Sequence, residues 1–367
     1  MNILLLTNHL NIGGISSYAL TLARGLRERG HKVFIASGGG ELSGRLAQEG
    51  IGYLEVPLKT KAEINPKIIY SMFKLSALVR QEKIEIIHAN TRVTQVLAAL
   101  LKRRCRLPYI STCHGYFKRR LLRRIFPCWG KRVIAISEPV KRHLIDDFAV
   151  NEKMIRVVYN GIDLRRFNPV SEEERKAGKL ALGLGERPVI GIIARLSDVK
   201  GHIYLVKAME KVLLVFPRAQ LLIVGSGRML AELQGLVNKL EIGRSVKFIA
   251  SVDDTRRVLS AMDLFVMPSL KEGLGLGVME AMACGLCVIG SYVGGLIDLI
   301  QQGHSGVLVP PKNEQRLAQA ICELLADDEK RMVFGTNARI FIAGRFSQEK
   351  MAEETQRVYE ECLSADS

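Results

Sequence analysis

The sequence predicts an α/β protein of two doubly wound domains, each a parallel sheet with helices on both faces. Three observations predict it. Short, continuously apolar runs recur along the chain and alternate with helix-forming stretches, the pattern of parallel strands buried on both faces. Glycine-bearing turns follow several of these runs, at Gly13-Gly14, Gly225-Ser226-Gly227 and Gly273 to Gly277. The alternation lapses over the polar stretch Pro169 to Lys179 and then restarts. A length of 367 residues suits two cores of ordinary size.

Composition narrows the class. Hydrophobic residues at 48% and charged residues at 25% are those of a globular protein. No run approaches the about 18 apolar residues that cross a bilayer. The most apolar region, Leu205 to Gly225, is broken by Lys207, Glu210, Lys211 and Arg218. The start, Met1-Asn2-Ile3-Leu4-Leu5-Leu6-Thr7, has no basic lead-in and too short a run for a signal peptide, so a cytoplasmic location is expected. The seven cysteines are scattered and odd in number, as reduced thiols are. Cys284-x-x-Cys287 reads as half a metal site or as two small buried residues; it has no second pair and no nearby histidine, and no metal site is expected. Charge is uneven: residues 1–168 carry 29 Lys+Arg against 12 Asp+Glu, and residues 169–367 carry 24 against 25. An anionic partner would therefore meet the first half.

In chain order, residues 2–7 form a strand, Gly13-Gly14 the turn after it, and Ser16 to Arg29 a helix. That glycine pair is either a plain connection or a backbone approach to a ligand. Strands are expected at Lys32–Ala36, Gly52–Val56, Ile84–His88, Tyr109–Cys113, Val133–Ile136 and Ile155–Val158. His114 follows a strand end, where ligands of open parallel sheets bind, although a lone histidine there can equally be structural. The stretch Lys118 to Phe126 reads as an amphipathic helix, with apolar residues at 121, 122, 125 and 126 and five basic residues on its other positions. It is either an anionic-membrane contact or a solvated face packed on the core. Lys102-Arg103-Arg104, Arg106, Lys131 and Arg132 add charge nearby; nucleic acid is not expected, since aromatics do not interleave with the basic residues.

The first domain closes at the turn Asn160-Gly161-Ile162-Asp163, leaving residues 1–168, 169–346 and a C-terminal helix from 347 as the expected parts. Strands restart at Val189–Ile193, Gln220–Val224, Val246–Ile249, Leu264–Met267, Cys287–Gly290 and Gly306–Val309, with a helix over Glu314–Leu325 and an amphipathic one over Ser347–Leu363. Arg195 and Lys200 lie on one strand-to-helix turn, either clamping a diphosphate or pairing with Asp198. The stretch Lys271 to Gly285 is a glycine-rich turn entering a helix, whose free N–H groups and dipole suit a phosphate. Glu272 and Glu280 bracket it; carboxylates beside a phosphate more plausibly face hydroxyls, and the two demands together read as a sugar nucleotide.

These pieces resemble the retaining glycosyltransferases of family 4, which have the GT-B fold of two Rossmann-like domains facing across a cleft. The resemblance spans nearly the whole chain and is carried by Glu272-x7-Glu280, with support from Gly13-Gly14, His114-Gly115, Asn160-Gly161-Ile162-Asp163, Arg195 with Lys200-Gly201, Gly225-Ser226-Gly227 and Gly294-Gly295. It implies transfer of a hexose from a UDP- or GDP-linked donor to a glycan or glycolipid, in envelope polysaccharide or lipopolysaccharide synthesis, without a cofactor or metal. It implies that Glu272 contacts the donor sugar and Glu280 the ribose. Arg195 and Lys200 would hold the diphosphate with the amides of Gly275, Leu276 and Gly277 and with Gly13 and Gly14, and His114 would lie on the acceptor side. Leu274, Ala250 and Asp298 depart from residues that such enzymes often carry, which bears on sugar and base preference. The competing readings are an epimerase or phosphorylase on the same architecture and a non-catalytic sugar-binding protein.

Overall fold

The computed structural model describes residues 1–60, 62, 65–118, 123 and 125–364. They form two compact units, Met1–Gly161 with Gln348–Ser367, and Ile162–Ser347.

The first unit is a seven-stranded, all-parallel sheet. Its strands are β1 (Asn2–Leu6), β2 (Lys32–Ser37), β3 (Gly52–Glu55), β4 (Ile86–Ala89), β5 (Tyr109–Cys113), β6 (Arg132–Ala135) and β7 (Ile155–Val157), in the order β3-β2-β1-β4-β5-β6-β7. The helices are α1 (Gly14–Glu28), α2 (Pro66–Gln81), α3 (Arg92–Cys105) and α4 (Glu138–Phe148). Successive side chains of a strand point to opposite faces, and β1 divides its residues accordingly. Ile3 and Leu5 join Tyr18, Leu22 and Leu26 of α1 on one side, while Leu4 and Leu6 join Leu75 and Val79 of α2 and Leu97 and Leu101 of α3 on the other.

The C-terminal helix, Gln348–Ser364, belongs to this unit and packs on α1. A Cβ on Gly25 would stand 2.8 Å from that of Ala352, so a side chain there would hold the two helices apart. Arg156 and Arg132 donate to the Glu361 carboxylate at 2.7 and 3.1 Å, and Lys131 Nζ donates to the Cys362 carbonyl at 2.6 Å. Lys131 and Arg132, read in the sequence as part of a basic surface, are thus engaged in holding this helix.

The second unit has six parallel strands, β8 (Val189–Ile193), β9 (Gln220–Val224), β10 (Val246–Ile249), β11 (Leu264–Met267), β12 (Cys287–Ser291) and β13 (Val307–Val309), in the order β10-β9-β8-β11-β12-β13. Its helices are α5 (Glu172–Ala181), α6 (His202–Val215), α7 (Leu230–Lys239), α8 (Thr255–Leu259), α9 (Leu276–Ala283), α10 (Leu296–Leu299), α11 (Glu314–Ala326) and α12 (Asp328–Arg345). Both sheets are doubly wound, and each unit is a Rossmann-like domain.

Two boundaries differ from the sequence reading. The division falls after Gly161 and not after residue 168. Ile162 N donates to the Phe346 carbonyl at 2.8 Å, and Arg339 of α12 binds the carbonyls of Leu164 and Phe167, so residues 162–168 are fastened to the second unit. The polar stretch Pro169 to Lys179, where the alternation of strands and helices lapses, enters helix α5 at Glu172. Ser171 and Glu174 form a reciprocal capping box at its start, and Lys179 pairs with Asp263 at 2.7 Å.

Candidate active site

In an open parallel sheet ligands bind beyond the carboxyl ends of the strands, where the strand order reverses. In the second unit that point lies between β8 and β11. The loop after β8 carries Arg195 and Lys200, and the loop after β11 carries Ser269, Glu272 and the glycines. The loop after β8 ends at Gly201, which has φ 71°, and a Cβ there would meet the Pro268 carbonyl oxygen at 1.9 Å. Only glycine lets this turn lie against the end of β11. Leu270 N then donates to the Val199 carbonyl at 2.8 Å, and Lys200 Nζ reaches Glu272 Oε2 at 2.5 Å.

Glu272 is buried, and Ser269 Oγ donates to the same Oε2 at 3.1 Å. Its Oε1 accepts no hydrogen bond among the described residues. The Glu272 carbonyl accepts from Gly295 N at 3.0 Å, which ties the Gly294-Gly295 turn to the site. Gly275, at φ 107°, precedes the first turn of α9, and no side chain caps that turn. The amides of Leu276 and Gly277 therefore stand among the unsatisfied donors of a helix N-terminus.

Arg195 is exposed and makes no hydrogen bond or ion pair among the described residues. Its loop is held from below, with Ala194 N donating to the Val224 carbonyl and Leu196 N to the Ser226 carbonyl, both at 3.0 Å. Asp198 pairs with Arg228 at 2.8 Å, so the alternative of an Asp198 pair with Arg195 or Lys200 is replaced by a partner the sequence reading did not consider. Glu280, in the second turn of α9, bonds Thr255, with Arg166 and Asp254 close enough to act on its charge. Burial dominates and pushes its carboxyl up to about 7, against the hydrogen bond from Thr255 and the Arg166 guanidinium.

The first unit has its own reversal point, between β1 and β4. Asn90 follows β4 and His114 follows β5, and His114 Nε2 lies 3.2 Å from Asn90 Oδ1. An amide oxygen only accepts, so Nε2 carries the proton and Nδ1 keeps a lone pair. The His114 ring packs edge-on against Tyr18 at 4.5 Å between centroids. Behind it runs a buried chain: Tyr18 Oη lies 3.3 Å from Thr112 Oγ1, which lies 2.6 Å from His88 Nε2, and His88 Nδ1 lies 2.7 Å from Tyr359 Oη of the C-terminal helix. Burial lowers both histidines to about 3, so they are neutral at neutral pH. Gly13 and Gly14 are exposed at the start of α1.

Sequence reasoning missed His88, Tyr18, Asn90 and Tyr359. Asn90 alone left a signal, a polar residue just beyond a strand.

The stretch Lys118–Phe126 is only partly within the description; residues 119–122 and 124 lie outside it. Arg123, expected on a solvated polar face, is buried, with its guanidinium over Phe117 at 3.8 Å and within 6 Å of Trp129 and Phe148, at 5.6 and 5.8 Å. A cation can leave water for aromatic faces in this way. Ile125 and Phe126 are exposed. Among the described residues no helix is long and apolar enough to cross a membrane, and no group of three or more His, Cys, Asp or Glu could hold a metal ion. Cys284 and Cys287 are buried thiols, each pushed up to about 12 by desolvation.

Two family models match the chain: "Glycosyltransferase Family 4" over residues 12–166 and "Glycosyl transferases group 1" over residues 174–341. An uncharacterized glycosyltransferase of Methanocaldococcus jannaschii is 28% identical, over 95% of this chain and 94% of that one. A GDP-mannose-dependent monoacylated phosphatidylinositol monomannoside mannosyltransferase of Corynebacterium glutamicum is 35% identical over 53% of each chain. Among solved structures, Anabaena HepE in complex with UDP-glucose superposes with a TM-score of 0.87 at 24% identity, over the full length of both chains.

Proposed function

Since the chain belongs to the GT-B glycosyltransferases, we propose that it moves a hexose from a nucleotide-diphosphate sugar to a glycan or lipid-linked acceptor, with retention and without a metal, in making a cell-envelope glycan. One observation carries the reading. At the reversal point of the second sheet, a lysine, a buried carboxylate and an uncapped helix N-terminus lie on adjoining loops, with Arg195 exposed on one of them.

Breaking the glycosyl–phosphate bond leaves negative charge on the diphosphate. In this reading Arg195, Lys200 and the amides of Gly275 to Gly277 take up that charge. Preorganised donors of this kind are usually the largest catalytic contribution. Two cations and a helix dipole supply what a metal supplies elsewhere, so none is needed. Glu272, with Oε2 occupied by Lys200 and Ser269, offers Oε1 to the sugar hydroxyls. Glu280 serves the ribose hydroxyls.

His114 has too low a proton affinity to act as a base near neutral pH, where a catalytic base should titrate. It serves as a hydrogen-bond partner on the acceptor side. The acceptor's proton then goes to the departing phosphate oxygen, attack comes from the same face, and the configuration at the sugar is kept. The lipid-linked acceptor draws support from the mannosyltransferase relative, named for its action on a phosphatidylinositol monomannoside. A peripheral membrane location through an anionic surface, with Lys118–Phe126 as one contact, follows from that acceptor.

Thermal stabilisation by UDP, GDP, ADP and their sugars identifies the donor, because a ligand of the native state raises apparent stability. Turnover of that donor should then require an acceptor. Glu272→Ala should abolish transfer and leave nucleotide binding in place. Donor consumption without acceptor growth, or near-full activity of Glu272→Ala, refutes the reading.

A further inference from the structure

The Glu272 carboxylate has two partners in the free protein, and they differ in what each can do when a diphosphate arrives. Lys200 Nζ lies 2.5 Å from Oε2, and Ser269 Oγ donates to the same oxygen at 3.1 Å. At that distance ammonium and carboxylate largely cancel, and the pair presents little net charge to an anion. For Lys200 to hold a diphosphate, its ammonium has to turn from Oε2 to the phosphate oxygens.

Lys200 is built to turn. Its ammonium ends a flexible four-carbon stem, and the side chain is partly exposed. Glu272 is not free to follow it. The Glu272 carbonyl accepts from Gly295 N at 3.0 Å, and a Cβ on Gly275 would stand 3.5 Å from its Cγ, so backbone and stem are both boxed in. Ser269 is fixed as well. It is fully buried, and both its neighbours are pinned to the loop after β8. On one side the Pro268 carbonyl oxygen lies against Gly201, and on the other Leu270 N donates to the Val199 carbonyl at 2.8 Å.

A buried carboxylate left without a partner is strongly destabilising, because its desolvation is no longer offset. A neutral hydroxyl that stays behind removes that penalty without drawing on the cation. We propose that Ser269 is a positioning residue for donor binding: its hydroxyl keeps Glu272 hydrogen-bonded and in place while Lys200 leaves Oε2 for the diphosphate, and Oε1 stays turned to the sugar. The proposal rests on the reading of a nucleotide-diphosphate donor held by Lys200.

The test is calorimetric titration of the full chain with UDP, GDP and ADP, on the parent, Ser269→Ala, Glu272→Ala and the double variant. Towards the nucleotide that binds the parent, Ser269→Ala should be roughly 10–100-fold weaker, the range that a hydrogen bond to a charged group spans. Glu272→Ala should bind that nucleotide at least as tightly as the parent. The double variant should match Glu272→Ala, since with no carboxylate to hold the serine has no role; the two changes are coupled and not additive. Without nucleotide, Lys200 still serves Oε2, so the thermal midpoint of Ser269→Ala should fall by no more than about 4 °C, the shift of one ordinary hydrogen bond in a unit of this size. Ser269→Cys, which keeps a weak S–H donor, should bind with intermediate affinity.

A residue of merely structural importance would lower the midpoint on either background and leave nucleotide affinity alone. Parent-like affinity of Ser269→Ala, or an equal loss on the Glu272→Ala background, overturns the proposal. Should Ser269→Ala fail to fold, Ser269→Cys carries the same comparison, and parent-like affinity there overturns it too. The two readings fail differently. If none of the three nucleotides binds the parent, the donor reading falls and this one with it; if one binds and the serine variants bind it equally well, the donor reading stands and the role of Ser269 falls.

Discussion

Replacing Lys200 by alanine removes two things at once, and the geometry says how to separate them. In the free protein Lys200 Nζ lies 2.5 Å from Glu272 Oε2, with side chains 20% and 9% exposed. Taking one partner from a buried ion pair costs about 3–5 kcal/mol because the other charge is stranded. Lys200 keeps a fifth of its surface and Ser269 still serves Glu272, so a loss of about 2–3 kcal/mol of folding stability is expected. Loss of a donor to the leaving diphosphate should add a barrier of about 2.7–4 kcal/mol, or roughly 10²–10³-fold in turnover. Glu272→Ala in the Lys200→Ala background removes the stranded carboxylate. The double variant should therefore be more stable than Lys200→Ala alone while remaining inactive. Denaturant unfolding and coupled nucleotide release on the three variants read the two effects independently. Additive stability losses, or less than a tenfold fall in turnover for Lys200→Ala, would refute the reasoning.

Two further outcomes follow from buried groups. Tyr359→Phe leaves His88 Nδ1 without its partner at 2.7 Å in a fully buried setting, and stability should fall by about 1–3 kcal/mol in urea unfolding. If the Tyr359–His88–Thr112–Tyr18 chain sets the pose of His114, the acceptor KM should rise with donor affinity unchanged; kinetics identical to the parent would leave the chain a packing feature. For Glu280, burial pushes the native carboxyl up to about 7 from the 4.5 ordinary for a glutamate. Its contribution to stability is thus full below about pH 4.5 and is lost as pH rises through about 7. Glu280→Gln should accordingly raise the thermal midpoint of the free protein at pH 8 and change it little at pH 5, while weakening donor binding; an equal change at both values would contradict the assignment.

Much of the architecture was legible because parallel strands buried on both faces are continuous apolar words. Tyr109–Cys113, Val189–Ile193, Gln220–Val224, Val246–Ile249 and Leu264–Met267 begin and end in the structure where the sequence predicts them. The turns around Lys200-Gly201 and Gly273 to Gly277 were legible for a related reason, since close backbone approach restricts what can stand there. The helix at Glu172–Ala181 was not, because its exposed, charged composition resembles a linker and its capping box is a two-residue signal. Contacts between distant residues left no mark at all. His88 and Tyr359 are separated by 271 positions, and nothing local to either announces the other. Arg123 was misplaced because charge alone predicts a wet surface, whereas three aromatic rings from separate stretches provide for it.

The return of residues 348–364 to the first unit makes the second unit, in effect, an insertion. A ribosome emits the amino-terminal sheet early, yet one flank of its interior, with Met351, Ala352 and Tyr359, is missing until some two hundred residues more have been made. The inserted unit is contiguous and can fold as soon as it clears the exit tunnel. Assembly on this route ends where the chain began, so a stop codon just upstream of Gln348 would wound the amino-terminal half and spare the half beside it.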